Sequence, residues 1–410
     1  MKIECVNVKS IKLFSHKITP MAQTILYLII AFILFEFVFS KTLSWLNMKT
    51  WEAPLPDEVK TLYNTQKYTE AKNYAIVNNK LSTISGILSL IITVTFLYFK
   101  GFAWLDSIAR GFTDSPILQC LIFFSIVSLA FGVISLPFDI YRTFVIEEKF
   151  GFNKTTPLLY FTDKLKSIAL AIVLGGGILA LLTFLFGILD DKFWIAGWIL
   201  VSAISILLAM FYTSLFLPIF NKLIPLDAGT LRESIEKYAA KVQFPLTNIL
   251  VMDGSKRSSK ANAFFSGLGS KKNIVLYDNL ISDMNTEEIT AVLAHEVGHY
   301  KKKHVLQSIA ISIVQTGILF FVFGWLASNP LMAEVLGAKQ NSFYLSLVTF
   351  SLLYSPISII TGLLMNIFSR KNEYEADAYA KDTYSAQPLI SALKKLSVNQ
   401  LSNLQPDSAY

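Results

Sequence analysis

The sequence predicts a mostly α-helical integral-membrane protein with seven transmembrane helices and a small α+β domain inserted between helices five and six. Of its 410 residues, 53% are hydrophobic and only 16% are charged, whereas about a quarter of the residues in soluble domains are charged. Long apolar runs account for this shortfall, and a run of about 20 residues can span a bilayer. One long polar segment, residues 218–304, interrupts the apolar runs and predicts the inserted domain.

Seven apolar runs are long enough to cross a bilayer. Only Asp190, Asp191 and Lys192 separate the fourth and fifth runs, so these two must form an antiparallel hairpin. The first run is expected to remain as a membrane helix, because it is long, contains Glu36 and lacks a clear signal-peptide cleavage site. The approximate limits of the runs are Met21 to Ser40, Leu81 to Tyr98, Ile117 to Asp139, Ser167 to Leu189, Phe193 to Leu217, Val305 to Ala327 and Phe343 to Phe368.

Basic residues are concentrated in one of the two sets of loops that alternate across the membrane. They are numerous in residues 41–80, 140–166 and 218–304 and in the C-terminal tail, and sparse in the other loops. The positive-inside rule places the basic set in the cytoplasm, so we expect the N-terminus outside or in the lumen. Four lysines near the N-terminus oppose this assignment but are outnumbered: Lys2, Lys9, Lys12 and Lys17. The membrane would be a bacterial inner membrane or the endoplasmic reticulum.

These loops also explain the net charge of +7. The sequence contains no RNA-binding or helix-turn-helix signature, so we do not expect a nucleic-acid partner. The bilayer is the partner that the composition predicts.

The polar segment has the pattern of a mixed α+β domain. Residues Leu231 to Val242 have helical periodicity, and three short β-rich stretches follow. A further helix is expected to begin after Asn285, because Glu288 lies three residues on and completes a capping box. The stretches are Asn248 to Met252, Ala261 to Phe265 and Asn273 to Tyr277, with a turn predicted at Ser266 to Lys272.

That further helix is predicted over Thr286 to His304, and it contains the pattern HExxH at His295, Glu296 and His299. Residues four apart lie on one face of a helix, so both imidazoles can bind a single metal ion. Glu296 lies beside them, where its carboxylate can take a proton from a water that zinc has acidified to a pKa of about 7. The pattern therefore predicts a zinc hydrolase site with Glu296 as the catalytic base.

A catalytic zinc site needs a third protein ligand and one open position. Glu373 and Asp377 follow the seventh apolar run and are four residues apart on a predicted helix. They share a face, so Glu373 can reach the metal while Asp377 holds a ligand histidine by its other ring nitrogen. The apolar runs, the polar segment and the site residues together divide the chain into four predicted regions. They are a membrane region at 1–217, the zinc-site domain at 218–304, two membrane helices at 305–368 and a C-terminal helical region at 369–410, which supplies the third ligand.

The sequence resembles the type 1 CAAX prenyl proteases, which are membrane zinc endopeptidases. The resemblance is distributed along most of the chain, and its first and third stretches are much more specific than HExxH alone. The stretches are FVIEEKFGFNKTT (Phe144 to Thr156), LPIFNKLIPL (Leu217 to Leu226), SKRSSKANAFFSG (Ser255 to Gly267), AHEVGHYKKKH (Ala294 to His304) and SRKNEYEADAYA (Ser369 to Ala380).

The resemblance implies one Zn²⁺ per chain, held by His295, His299 and Glu373. It also implies that a strand containing Asn262, Ala263 and Phe264 pairs with an extended peptide substrate, which suits an exposed sheet edge. Asn262 could alternatively be an ordinary turn or strand-end residue. The substrate would be a peptide or protein, with the C-terminal tail of a prenylated protein as one candidate.

The resemblance further implies seven helices around a large water-filled chamber. It implies an oxyanion-stabilising residue in a His-rich run after Ser391 to Leu404, and the sequence up to Tyr410 has no counterpart of that run.

Three other functions remain open at this stage. A membrane-protein quality-control protease would use the same chemistry without prenyl specificity. A non-catalytic protein would use the zinc structurally, but such a site is normally closed by a fourth protein ligand, and none is well placed. A transporter usually has repeats or charges at the midplane of its membrane helices, and the seven runs lack a clear set.

Overall fold

The computed structural model describes residues 18–53, 60, 65–266 and 272–408. The four N-terminal lysines and most of the predicted turn at Ser266 to Lys272 lie outside the described residues. Helices dominate the described part of the chain, as the composition predicts.

The first half of the chain is helical, and its long helices begin at residues that favour a helix start. Pro20 and Pro157 each occupy a first helical position, and the hydroxyls of Thr19 and Thr156 accept hydrogen bonds from the backbone N–H three residues further along. The helices are α1 (Pro20–Lys49), α2 (Thr65–Tyr98), α3 (Gly101–Phe112), α4 (Pro116–Tyr141), α5 (Pro157–Leu170), α6 (Gly177–Leu189), α7 (Phe193–Phe211) and α8 (Leu217–Phe220).

A turn at Asp190–Lys192 reverses the chain between α6 and α7. Asp190 has a positive φ of 42°, and beyond it the ring of Phe193 lies 5.3 Å from the ring of Phe186 on α6. The predicted hairpin is therefore present. Six helical runs among the described residues are long and apolar enough to cross a membrane, and one of them, Pro157–Phe220, has 64 residues and includes this turn.

A small α+β domain follows these helices. Its sheet has the strand order β1-β2-β4-β3, with only the central β2–β4 pair parallel, so β3 lies at an edge. The three predicted strands are confirmed, whereas β1 was missed because a three-residue strand ending in proline carries almost no pattern. The elements are β1 (Leu223–Pro225), α9 (Thr230–Lys241), β2 (Leu246–Met252), β3 (Ala263–Ser266), β4 (Lys272–Tyr277), α10 (Asp278–Asp283) and α11 (Thr286–Lys301).

The helix predicted over Thr286 to His304 is shorter than expected. It ends at Lys301, and Lys303 takes a left-handed conformation (φ 60°, ψ 28°) before the next helix begins. The remaining elements are α12 (His304–Ala327), α13 (Leu331–Val335), α14 (Phe343–Thr383) and α15 (Ala386–Asn399). With 41 residues, α14 is about 60 Å long, roughly twice the apolar thickness of a bilayer. It therefore extends well beyond its apolar run, and its polar end packs against α11.

A clasp of charged and aromatic residues joins the α+β domain to the membrane helices. Arg257 forms a two-pronged ion pair with Asp163 on α5, with N–O distances of 2.7 and 3.1 Å, and also donates to the carbonyl of Phe220. The Nζ of Lys260 lies 3.1 Å from a carboxylate oxygen of Glu147 and 3.0 Å from the hydroxyl of Tyr74. The two most family-specific stretches of the sequence thus contact each other.

We expect Arg257→Lys to weaken this clasp, because lysine keeps the charge but cannot form the planar two-pronged pair. The melting temperature of the detergent-solubilised protein should fall, and limited proteolysis should cut sooner near residues 255–260. The control is Arg232→Lys, which alters an exposed pair with Glu236 and should change neither measurement. Equal effects of the two substitutions would contradict the clasp.

A buried carboxylate fastens α15 to the start of α11. The side chain of Glu288 is 3% exposed, completes the predicted capping box with Asn285, and accepts hydrogen bonds from Ser391 and Lys395 on α15. Burial would raise the pKa of Glu288, but the hydrogen bonds from Lys395, Ser391 and the Asn285 backbone outweigh burial and leave this pKa below its ordinary value.

We expect Glu288→Gln to lower the free energy of unfolding by about 1–3 kcal/mol, because hydrogen bonds to a charged group are lost. Since the folded-state pKa is lowered, the stabilisation is present above the ordinary glutamate pKa and is lost as the pH falls through the folded value. Thermal unfolding at neutral pH should separate the variant from the wild type, and the difference should narrow in acid. Glu287→Gln, at the exposed neighbouring position, is the control; a pH-independent difference would contradict this account.

Candidate active site

Small residues allow α11 to lie unusually close to α14. A Cβ atom built on Gly298 would lie 2.9 Å from the Cα of Ala376 and 3.0 Å from its carbonyl oxygen. Ala291 and Ala294, two further small residues of α11, are fully buried. This contact of backbone against backbone brings the polar end of α14 beside the HExxH face of α11.

The structure brings together the three residues predicted to bind metal. The Nε2 atoms of His295 and His299 are 3.1 Å apart, and Glu373 Oε2 lies 3.4 Å from the first and 3.7 Å from the second. Ligand atoms of a tetrahedral zinc ion, with bonds of about 2.0–2.1 Å, are separated by about 3.3–3.4 Å. The triangle therefore has the size that a zinc ion needs, and two imidazoles with one carboxylate are donors that zinc favours.

Asp377 lies one helical turn after Glu373 and contacts the other side of His295. Its Oδ1 atom is 2.7 Å from His295 Nδ1. Because the carboxylate accepts a hydrogen bond from the Nδ1–H, the neutral imidazole carries its free lone pair on Nε2, directed at the triangle. The predicted pairing of a ligand histidine with Asp377 is therefore present in the structure.

Two further side chains approach the site, and sequence reasoning missed both. His304 Nδ1 lies 3.0 Å from His299 Nδ1, and His304 Nε2 lies 3.2 Å from a carboxylate oxygen of Glu375. His304 does not fit the ligand spacing of a continuous helix, and Glu375 lies off the face that Glu373 and Asp377 share. Only the break in the helix at Lys303 brings His304 back to His299, and no sequence pattern marked that break.

The site controls the protonation of two of its own groups. Burial raises the pKa of Glu296 to about 7; the nearby His295 lowers this pKa, and Glu373 raises it further. The Glu296 carboxylate makes no hydrogen bond to another described residue. Burial also lowers the pKa of His299, which favours the neutral imidazole that a metal requires.

The residues predicted to bind substrate lie on the edge strand of the sheet. Ala263 and Phe264 pair with β4 along one side of β3, whereas the other side has no partner strand among the described residues. Asn262 is exposed just before the strand, and its carbonyl accepts a hydrogen bond from the backbone of Tyr277. β3 also contacts α11, which carries His295 and His299.

A cavity of about 460 Å³ opens beside the triangle. His299, His304 and Glu373 line one end, and side chains of α7, α12 and α14 line the rest. Hydroxyl groups are frequent in this lining, at Ser202, Ser205, Ser308, Ser312, Thr316 and Ser369. The cavity thus connects the candidate metal site with the space between membrane-length helices.

A His–Glu helix that meets a carboxylate from a membrane-length helix is characteristic of an integral-membrane metallopeptidase. Two family models match the chain and divide it near residue 223. Residues 44–222 match the CAAX prenyl protease N-terminal domain of five membrane helices, and residues 225–407 match peptidase family M48. The chain therefore belongs to peptidase family M48, in its CAAX prenyl protease 1 group. This membership confirms the resemblance seen in the sequence and implies a bound metal.

Individual relatives agree with this assignment. The chain is 32% identical to CAAX prenyl protease 1 of Saccharomyces cerevisiae, in an alignment that covers 93% of the chain and 90% of the relative. It is 30% identical to the CAAX prenyl protease 1 homolog of Mus musculus, over 85% of the chain and 83% of that relative. The crystal structure of S. mikatae Ste24p superposes with a TM-score of 0.90 at 33% identity, over 94% of this chain and 95% of that one.

We expect Gly298→Ala to damage the metal site without touching any ligand. The added methyl group must push α14 away from α11, and overpacking of this kind costs about 1–3 kcal/mol. Because the shift moves Glu373 away from both histidines, metal affinity and activity should fall together, as measured by competition with a chelator and by peptide cleavage. Gly362→Ala, on α14, is the control, because nothing lies within 4 Å of a Cβ built at that position. Unchanged metal affinity in Gly298→Ala would contradict the packing argument.

Proposed function

We propose that this protein is a zinc-dependent endopeptidase that cleaves near the C-terminus of prenylated proteins. The observation that carries the proposal is the triangle of His295 Nε2, His299 Nε2 and Glu373 Oε2, whose sides of 3.1–3.7 Å suit one zinc ion per chain. The substrate class rests on the names of the relatives, which are CAAX prenyl proteases.

Each residue of the site has a distinct role in this proposal. His295, His299 and Glu373 would hold the ion. Bound zinc supplies a Lewis acid that polarises the scissile carbonyl and acidifies water. Glu296, with a pKa near 7 in the buried site and no competing hydrogen bond to a described residue, takes a proton from the attacking water and returns it to the leaving amine. Asp377 orients His295 through Nδ1.

The edge of β3 holds the substrate in this proposal. An extended peptide can add to the free side of Ala263 and Phe264 by backbone hydrogen bonds, with Asn262 at the N-terminal end of β3. The strand contacts α11, so a peptide in this position runs past the metal site. The hydroxyl-lined cavity beside the site offers space between the helices for the rest of the substrate.

We assign seven transmembrane helices to the chain, because the turn at Asp190–Lys192 divides the 64-residue run Pro157–Phe220 into two antiparallel helices. The regions are 1–217, 218–304, 305–368 and 369–410. The bias of basic residues supports a cytoplasmic active site and C-terminus, and an N-terminus outside or in the lumen. The proposal is compatible with either a bacterial inner membrane or the endoplasmic reticulum.

The decisive variant is Glu296→Gln, which removes the base but no ligand. We expect purified protein to cleave a farnesylated CAAX peptide, and the variant to lose at least about 100-fold in kcat while it still binds one equivalent of zinc. A chelator should abolish wild-type cleavage, and added zinc should restore it. Glu287→Gln, on the same helix but exposed, should retain full activity.

Comparing the farnesylated peptide with its unmodified form, in the same assay, distinguishes prenyl processing from membrane-protein quality control. Preference for the farnesylated peptide over its unmodified form supports prenyl processing, whereas equal cleavage of both, or of an unmodified membrane protein, supports quality control. Cleavage that survives in Glu296→Gln, or a wild-type protein that binds no zinc, would contradict the proposed site.

A further inference from the structure

We infer that His304 and Glu375 form a hydrogen-bond relay that orients the His299 ring so that its Nε2 atom faces the proposed metal site. Both are therefore positioning residues for that site. The inference rests on the proposed function, since it concerns how one proposed ligand is oriented. Its evidence is independent of the triangle, because it comes from the opposite side of the His299 ring.

The relay consists of two contacts in series. His299 Nδ1 lies 3.0 Å from His304 Nδ1, and His304 Nε2 lies 3.2 Å from Glu375 Oε2. A neutral imidazole has one donor and one acceptor nitrogen. If His299 Nε2 is to bind a metal, its proton must be on Nδ1, so His304 must accept at Nδ1 and donate from Nε2. The Glu375 carboxylate, which can only accept, completes the series in that direction.

The surroundings of His304 favour this single arrangement. The side chain is 4% exposed, and its ring packs edge-on against that of His299 with the centroids 5.1 Å apart. Among the described residues, the hydrogen-bond partner of His299 Nδ1 is His304. Glu375 is 38% exposed and is also approached by Lys371, whose Nζ lies 3.8 Å from the other carboxylate oxygen. The relay therefore runs from the buried site to the surface of α14.

The break between α11 and α12 is what makes the relay possible. On a continuous helix, a residue five positions after His299 would be rotated by about 140° away from it. The left-handed conformation of Lys303 redirects the chain, so that the first residue of α12 returns to the ring of His299. The left-handed conformation of a non-glycine residue is unfavourable by about 1 kcal/mol or more. At Lys303 this conformation allows the contact between His304 and His299.

The two proposed ligand histidines are thus supported in different ways. His295 Nδ1 contacts a carboxylate directly, at 2.7 Å from Asp377. His299 reaches its carboxylate through a second ring, because Glu375 lies on another face of α14 and is too far around the helix. Partners of this kind typically account for 10- to 100-fold in metal affinity, so the inference predicts an effect of that size for a residue that does not touch the metal.

The test measures zinc affinity by competition with a chelator, together with kcat and KM for the farnesylated peptide. His304→Leu fills the space but can neither accept nor donate, so zinc affinity should fall about 10- to 100-fold. His304→Asn should recover most of this loss, because the amide oxygen can accept from His299 Nδ1. Glu375→Gln keeps an acceptor without the charge and should lose less than His304→Leu. Asp382→Asn, an exposed carboxylate on α14, is the matched control.

Two further readouts separate positioning from a general structural role. The visible spectrum of the Co²⁺-substituted protein should change in His304→Leu and return towards the wild type in His304→Asn. The melting temperature of the metal-free protein identifies a variant that has simply unfolded, and Glu375→Gln, at a half-exposed site, tests the relay without altering the buried ring.

The outcomes distinguish this inference from the proposed function. If wild-type protein binds zinc and cleaves, but folded His304→Leu and Glu375→Gln match it in zinc affinity and cobalt spectrum, the relay is wrong and the site stands. An equal loss in His304→Leu and His304→Asn would also overturn the relay, since the hydrogen bond would then contribute nothing. If wild-type protein binds no zinc, the proposed function itself fails.

Discussion

The close approach of α11 and α14 is the constraint on which the candidate site depends. Two histidines four residues apart can be placed by any regular helix, but a third ligand must come from a second helix at a fixed distance. Gly298 against the backbone of Ala376 sets that distance. With the helices at this separation, Glu373 lies 3.4 Å from one histidine nitrogen, and Asp377 reaches the other side of the same ring.

Further interactions attach this pair of helices to α15 and to the membrane-length helices. Glu288 fixes α15 against the first turn of α11, and the clasp around Arg257 and Lys260 ties the domain to helices that are more than 90 residues earlier in the chain. Lys260 lies two residues before Asn262, so the clasp also fixes the start of the edge strand proposed to hold substrate. Attachment to the membrane helices and presentation of that strand are therefore served by one short segment.

Structural features that depend on residues close together in the chain could be predicted from the sequence. The apolar runs, the capping box of Asn285 and Glu288, and the spacing of Glu373 and Asp377 each depend on residues a few positions apart. The break at Lys303 could not be predicted, because a lysine in a left-handed conformation is stabilised by contacts made after the chain has folded. His304 and Glu375 were missed for the same reason, since their meeting requires that break and a second helix. The two stretches that form the clasp could be recognised in the sequence as family-specific, but their contact with each other could not be predicted.

The separation of the proposed ligands along the chain has a consequence for how the enzyme is made. His295 and His299 are synthesised before α12 and the apolar part of α14, whereas Glu373 lies in the polar end of α14 and is synthesised after both. With the three ligands proposed above, a nascent chain cannot complete the metal site until α12 and the apolar part of α14 have been translated. The same order means that a fragment of residues 218–304 would contain two of the three proposed ligands and would lack Glu373.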